Sequence, residues 1–74
     1  MSQQGKLKEL GKAIRAQRKA AGLTQEQLAE RCGYDPTYIS MLENGHRNPP
    51  VLTLFNLARH LGQPLFQILK DIAN

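Results

Sequence analysis

Few residues in this 74-residue chain could carry out covalent or metal chemistry, and their spacing favours neither. The single cysteine, Cys32, and the two histidines, His46 and His60, lack the spacing of metal ligands. Asp35, Ser40 and His46 are the residue types of a nucleophilic triad, but Asp35 stands where a helix N-cap is expected and Ser40 on the exposed face of that helix. No glycine-rich phosphate loop or paired carboxylate site occurs. The sequence therefore predicts a protein that is not an enzyme and holds no metal or cofactor.

The most informative stretch is residues 24–44, TQEQLAERCGYDPTYISMLEN, which has the pattern of two short helices joined by a tight turn. A capping box begins the first helix of this stretch, because Thr24 can accept from the backbone three residues on and Gln27 can reach back. Gly33 is suited to end that helix, since glycine adopts a positive φ without a Cβ clash.

A second helix is predicted directly after this glycine. Asp35 is a good N-cap and Pro36 a good first helical residue. Ile39 and Leu42 are spaced to face the core, and Gly45 ends the helix. Two helices joined by so short a turn cannot lie parallel, so the sequence predicts a helix-turn-helix over residues 24–44.

Three more helices flank this unit. One is predicted over residues 6–21, a fourth from Pro50 as its first residue to Gly62, and a fifth from Pro64. Their predicted core residues are Leu7, Leu10, Ala13, Ile14, Val51, Leu54, Leu57, Ala58, Leu61, Leu65, Ile68 and Leu69. The expected fold is all-α, a compact five-helix bundle forming a single domain over residues 1–74, with residues 1–5 flexible.

The charge of the chain suits an anionic partner, since the net charge is +4. The first predicted helix carries six basic residues, opposed only by Glu9: Lys6, Lys8, Lys12, Arg15, Arg18 and Lys19. This basic face is either solvated or partly placed beside phosphate. The N-terminus lacks a signal-peptide core and no run approaches membrane-spanning length, so a cytoplasmic location is expected.

The central stretch resembles the helix-turn-helix of the phage-repressor and Cro family. The resemblance is carried by GLTQEQLA (22–29), LENG (42–45), RNP (47–49) and LARHLG (57–62), and it covers roughly residues 7–69. The segment DPTYISMLENGHRNP (35–49) is similar to the small controller proteins of restriction–modification systems. The resemblance implies a lambda-repressor-like fold and a homodimeric transcriptional regulator that binds double-stranded DNA at a near-palindromic operator.

The DNA-binding residues that this resemblance implies lie on and around the second helix of the motif. They are Gln25, Pro36, Thr37, Tyr38, Ser40, Met41, Asn44, Arg47 and Asn48. Thr37 and Ser40 discriminate weakly, and Met41 can contact a thymine methyl group. The helix contains no Arg, Lys or Gln, so base specificity is expected to rest on the loop residues or on DNA shape.

Several of these residues also have a purely structural interpretation. Tyr38 could pack against the first or second helix, and Asn48 could serve only to order its loop. Gln25 begins a helix whose free backbone N–H groups and dipole favour a phosphate, and its side chain is expected to add a contact there; the alternative is a solvated first-turn residue. Related controller proteins often carry a basic residue near the position of Pro36, so direct guanine recognition there is not expected.

A buried ion pair is also implied by the resemblance. In the phage repressors an arginine of the first helix pairs with the glutamate of the LENG element, and these residues are Arg18 and Glu43 here. An unpaired buried charge would cost several kcal/mol, so the pair is expected to be well hydrogen-bonded. The alternative is that Arg18 contacts phosphate directly.

Assigning the core leaves three apolar residues over, Leu52, Phe55 and Phe66. Small monomers rarely expose a connected aromatic patch, so a two-fold dimer interface on the fourth and fifth helices is expected. The alternative is that Phe55 or Phe66 folds back into the core. His60 lies near this patch and is interpreted as a packing residue.

Two other functions fit the same fold. One is an antitoxin-type regulator whose main partner is a protein toxin, although only residues 70–74 follow the last predicted helix as a binding segment. The other is a protein-interaction module that binds no DNA, which would leave Arg47 and the basic first helix without a purpose.

Overall fold

The computed structural model describes residues 3–70 and 72, with side chains from residue 5 onward. Helices are the only regular secondary structure over these residues. Five helices follow one another: α1 (Gln3–Ala20), α2 (Gln25–Cys32), α3 (Pro36–Glu43), α4 (Val51–Leu61) and α5 (Leu65–Leu69). The predicted all-α five-helix bundle is confirmed. No helix in this part of the chain is long and apolar enough to cross a membrane.

The ends of α2 form as the local sequence predicts. The Thr24 side chain accepts from the Gln27 N–H at 3.0 Å, and the Gln27 side chain accepts from the Thr24 N–H at 2.9 Å. Gly33 has φ 78° and closes the helix. The Asp35 carboxylate then accepts from the Thr37 N–H at 2.8 Å and caps α3. Short-range hydrogen bonds therefore set the turn between α2 and α3.

Two helix starts differ from the prediction. Helix α1 begins at Gln3, three residues before the predicted start; residues 1 and 2, also predicted to be flexible, lie outside the described residues. Helix α4 begins at Val51, with Pro50 as its N-cap rather than its first residue, because the ψ of Pro50 is extended at 155°.

The core is formed by one apolar cluster to which all five helices contribute. Its buried members are Ile14, Leu23, Leu28, Ala29, Cys32, Ile39, Leu42, Leu54, Leu57, Ala58, Leu61 and Ile68. The prediction that Val51 belongs to the core is wrong, since it is 57% exposed. As the first residue of α4, Val51 projects beyond the cluster that begins one turn later at Leu54. Burial raises the pKa of the Cys32 thiol.

Helix α1 crosses the C-terminal end of α3 at a glycine. Gly11 is buried, and a Cβ placed there would lie 2.5 Å from the Leu42 carbonyl oxygen and 2.7 Å from the Glu43 carbonyl carbon. Backbone atoms cannot move aside as side chains can. The missing side chain at Gly11 therefore sets the distance between α1 and α3.

We expect Gly11→Ala to destabilise the fold by about 1–3 kcal/mol, because overpacking against backbone outweighs the gain in helix propensity. The free energy of unfolding from urea denaturation measures the effect. Ala16→Gly, at an exposed site on α1, serves as the control because it reports the propensity contribution alone. A Gly11→Ala variant more stable than the parent would contradict the close helix contact.

Candidate nucleic-acid interface

Helix α3 separates an apolar face from a polar one. Ile39 and Leu42 are fully buried against the core, whereas Pro36 and Thr37 are exposed at the N-terminal end. Ser40 is half-buried on the outer side. The polar face of α3 is therefore most exposed in the N-terminal half of the helix. A recognition helix that enters a major groove contacts base edges with this half.

The C-terminal end of this face is partly engaged within the helix. Asn44 is exposed, but its side-chain nitrogen donates to the Ser40 carbonyl oxygen at 2.9 Å. Met41 is half-buried, with part of its thioether side chain accessible. Asn48 is exposed in the loop before α4. Asn44 and Asn48 are therefore accessible and Met41 is partly accessible, with Asn44 held by its own helix.

Tyr38 and Arg47 are brought together beside the exposed face of α3. The Arg47 guanidinium lies 5.3 Å from the centroid of the Tyr38 ring, within the range of a cation–π contact. Tyr38 is half-buried and packs partly against the core, so part of the alternative structural interpretation holds. Its packing partner is Tyr34 in the turn, at a centroid distance of 5.4 Å and an interplanar angle of 72°.

The predicted ion pair between Arg18 and Glu43 is present, and it joins α1 to α3. Arg18 Nε donates to Glu43 Oε2 at 2.6 Å and Nη2 to Oε1 at 3.0 Å, with both side chains buried. Arg18 Nη1 donates to the Leu23 carbonyl oxygen at 2.8 Å. The hydrogen bonds that Arg18 donates to the Glu43 carboxylate raise the pKa of the guanidinium. The alternative of direct phosphate contact by Arg18 is wrong, because its donors point inward.

Gln25 extends this network to the N-terminus of α2. Its Nε2 donates to Glu43 Oε1 at 3.0 Å, and the side chain is half-buried. One of its two amide hydrogens is thereby used, and the orientation of the amide is set by Glu43. The side chain of Gln25 therefore has a defined position. It lies at the first turn of α2, where unpaired backbone N–H groups favour an anion.

The basic residues of α1 divide into two groups. Arg18 is buried in its ion pair, and Lys6 Nζ donates to the Ile72 carbonyl oxygen at 2.9 Å. The remaining four are exposed at i, i+4, i+7 and i+11 spacing, which places them on one helix face: Lys8, Lys12, Arg15 and Lys19. The backbone of Lys8 packs against Gly45, so this face borders the turn that leads to Arg47.

Sequence reasoning missed one polar residue that joins the helices. Asn56, half-buried on α4, donates through Nδ2 to the Cys32 carbonyl oxygen at 3.1 Å and to the Tyr34 hydroxyl at 3.0 Å. Its partners lie 24 and 22 residues earlier in the chain. The available signal was an asparagine between the apolar residues Phe55 and Leu57, and it did not identify the partners.

An apolar patch covers the outer side of α4 and α5. Its residues are Leu52, Phe55 and Phe66, which are 75%, 53% and 68% exposed, and Val51 at the start of α4 is exposed as well. The alternative that Phe55 or Phe66 folds back into the core is wrong. His60 nearby has its Nδ1 2.9 Å from the Asn56 carbonyl oxygen, which is a contact within the helix. Among the residues described, no group of His, Cys, Asp and Glu could hold a metal ion.

A helix-turn-helix whose second helix has an exposed N-terminal half, with an arginine beside it and a basic helix next to it, defines a nucleic-acid-binding domain. The family model described as helix-turn-helix matches residues 14–68. The chain belongs to this family.

The relatives are transcriptional regulators. An uncharacterized HTH-type transcriptional regulator of Sinorhizobium fredii is 51% identical over 45 residues, which are 61% of this chain and 58% of that protein. The restriction–modification controller protein C.AhdI from Aeromonas hydrophila superposes with a TM-score of 0.84 at 33% identity, over 86% of this chain and 97% of that one. The controller protein C.Esp1396I, solved as a tetramer with its natural 35-base-pair operator, is 29% identical with a TM-score of 0.80 over 100% of both chains.

Proposed function

We propose that this chain is a homodimeric transcriptional regulator that binds a near-palindromic operator, and that it acts as a controller protein of a restriction–modification system. The observation that supports this most directly is the exposed N-terminal half of α3 with Arg47 held against Tyr38 beside it. The likeness to two controller proteins, one of them solved with its operator, supports the same function. Such a regulator works where the DNA is, in the cytoplasm.

Base recognition in this proposal comes from a small set of side chains. Thr37 and Ser40 offer hydroxyl groups to several bases, and Met41 offers an apolar contact to a thymine methyl group. Because α3 carries no bidentate purine reader, Arg47 and Asn48 in the loop supply the stronger contacts. The remaining specificity comes from DNA shape and bending.

Phosphate contacts would position the domain on the duplex. The first turn of α2, with Gln25 oriented by Glu43, offers backbone N–H groups to one phosphate. The exposed basic face of α1 adds sequence-independent attraction, since four cations lie along one helix face. This attraction weakens steeply with salt.

The apolar patch on α4 and α5 would form the two-fold interface. Leu52, Phe55 and Phe66 provide apolar area that a small soluble domain rarely leaves uncovered. A two-fold dimer would place its recognition helices roughly 34 Å apart, one turn of DNA, and hence call for a near-palindromic site.

Selection of binding sites from random duplex DNA at two salt concentrations tests the proposal. The expected result is an enriched near-palindrome whose half-sites are about 10 bp apart and whose affinity falls as salt rises. A match upstream of a neighbouring restriction–modification operon would support the controller role. Recovery of no enriched sequence would contradict sequence-specific regulation and leave the protein-partner functions.

We expect Arg47→Ala to weaken operator binding by about 1–3 kcal/mol and to reduce the salt slope by about one if the contact is to phosphate. The fold should be unchanged because Arg47 is exposed. Arg31→Ala is the matched control, since it removes an exposed arginine from the last turn of α2, outside the predicted DNA-binding residues. Titration of labelled operator at several salt concentrations measures both quantities. Equal affinities for the two variants would remove Arg47 from the interface.

A further inference from the structure

Asn56 connects the helix of the apolar patch to the turn of the DNA-binding motif. It lies one helical turn after Leu52 on α4, and both hydrogens of its side-chain nitrogen are used. One is donated to the carbonyl oxygen of Cys32, the last residue of α2, and the other to the Tyr34 hydroxyl. Asn56 therefore fixes the position of the Tyr34 ring relative to α2 and α4 together.

The contacts continue from Tyr34 to the DNA-binding side. The Tyr34 and Tyr38 rings meet edge to face, at a centroid distance of 5.4 Å. The Tyr38 ring in turn lies under the Arg47 guanidinium, 5.3 Å from its centroid. This Asn56–Arg47 series consists of a hydrogen bond, an aromatic contact and a cation–π contact, and it runs from α4 through the turn and α3 to the loop.

The series restricts a side chain that would otherwise be mobile. Arginine carries about 1.5–2 kcal/mol of rotamer entropy, which an exposed side chain loses when it binds. Arg47 is exposed and has one described partner contact, the Tyr38 ring. A guanidinium already held in a defined place costs less to immobilise on DNA. The orientation of Tyr38 therefore affects the affinity that Arg47 contributes.

We propose that Asn56 and Tyr34 are positioning residues for operator recognition: they hold the Tyr38 ring, and through it Arg47, in the arrangement that contacts DNA. The inference rests on the proposed function, because it gives two residues outside the DNA interface an effect on operator affinity. Neither residue contacts DNA in this proposal. Their effect passes through Arg47 and disappears when Arg47 is absent.

A double-mutant cycle tests this dependence. Asn56→Ala is made alone and together with Arg47→Ala, and operator affinity is measured for all four proteins. We expect Asn56→Ala to weaken operator binding about three- to tenfold in the parent and less than about twofold in the Arg47→Ala background. A purely structural effect of Asn56 on the fold would lower affinity by the same factor in both backgrounds.

Two tyrosine variants separate the links of the series. Tyr34→Phe removes the hydroxyl that accepts from Asn56 but keeps the ring against Tyr38, so its effect should be smaller than that of Tyr34→Leu, which removes both. Tyr34→Phe also leaves the bond from Asn56 to the Cys32 carbonyl in place. The same cycle with Tyr34→Phe therefore decides the question if Asn56→Ala does not fold.

A readout in the free protein checks the geometry without DNA. The Tyr38 ring current should shift the δ-methylene protons of Arg47 in NMR spectra, and Asn56→Ala should reduce that shift while the melting temperature and oligomeric state are recorded alongside. Equal losses in both Arg47 backgrounds, or an unchanged Arg47 signal, would overturn the positioning role alone. Failure of the wild-type protein to bind any DNA sequence would instead overturn the proposed function, and the inference with it.

Discussion

Glu43→Ala is expected to destabilise the fold by about 3–5 kcal/mol, because it leaves the buried Arg18 charge without its carboxylate. Arg18 would keep only its bond to the Leu23 carbonyl oxygen, and Gln25 would lose the acceptor that orients it. Domains of this kind have about 5–15 kcal/mol of stability in total. A domain of this size loses roughly 4–8 °C of melting temperature per kcal/mol, so the melting temperature of the variant should fall by about 12–40 °C.

The control and the rescue variant distinguish the loss of the pair from the loss of any glutamate. Glu30→Ala removes an exposed carboxylate from α2 and should change stability by less than about 0.5 kcal/mol. The double variant Arg18→Met with Glu43→Leu removes both charges and should regain most of the stability, since replacing a buried pair by apolar groups is often neutral. Thermal and urea denaturation followed by circular dichroism measure all four proteins. A Glu43→Ala variant as stable as Glu30→Ala would mean that the pair is not buried in solution.

The parts of the fold that depend on short-range hydrogen bonds could be predicted from the sequence. Thr24 and Gln27 close their capping box within four residues, and Asp35 caps α3 two residues away. Gly33 ends α2 with a positive φ that residues with a Cβ rarely adopt. Each of these contacts forms between neighbours in the chain, so residue type and spacing are sufficient to place them.

Predictions that depend on long-range packing were less complete. Val51 has the spacing of a core residue, but its place at the start of α4 leaves it exposed, and only the packing of α4 on the rest of the bundle determines this. Asn56 bonds to partners more than twenty residues away, which no local pattern encodes. Gly11 likewise needs the crossing of α1 over α3 before its lack of a side chain has an explanation.

For the candidate site, the sequence predicts which residues take part, but it does not predict how their side chains are held. The exposure of Thr37 follows from its position on the polar face of α3, and the exposure of Arg47 follows from its position in the loop after α3. That Tyr38 is half-buried and supports Arg47 does not follow, because aromatic packing geometry depends on three segments at once. The same holds for Gln25, whose orientation comes from Glu43, eighteen residues away.

Placing lysines at Phe55 and Phe66 is expected to convert the proposed dimer into a folded monomer and to weaken operator binding about 100-fold or more. Two charges facing two like charges across a two-fold interface would repel, and the apolar area would be lost. Linking two half-site contacts in one dimer multiplies affinity by about 10²–10⁴, so a monomer loses that factor. Sedimentation velocity and operator titration measure the two effects on the same samples.

Lysine is chosen because an added positive charge does not itself repel DNA, so weaker binding cannot be attributed to the new charge. Ala20→Lys is the control, since it adds a lysine at an exposed site at the end of α1, away from the apolar patch. The stability of the monomer should fall only by the contribution that dimerisation made, which depends on protein concentration. If the Phe55→Lys and Phe66→Lys double variant remains a dimer, the interface lies elsewhere. If it is a monomer that binds operator as tightly as the parent does, each subunit must read its half-site alone, and the near-palindrome would carry no energetic advantage.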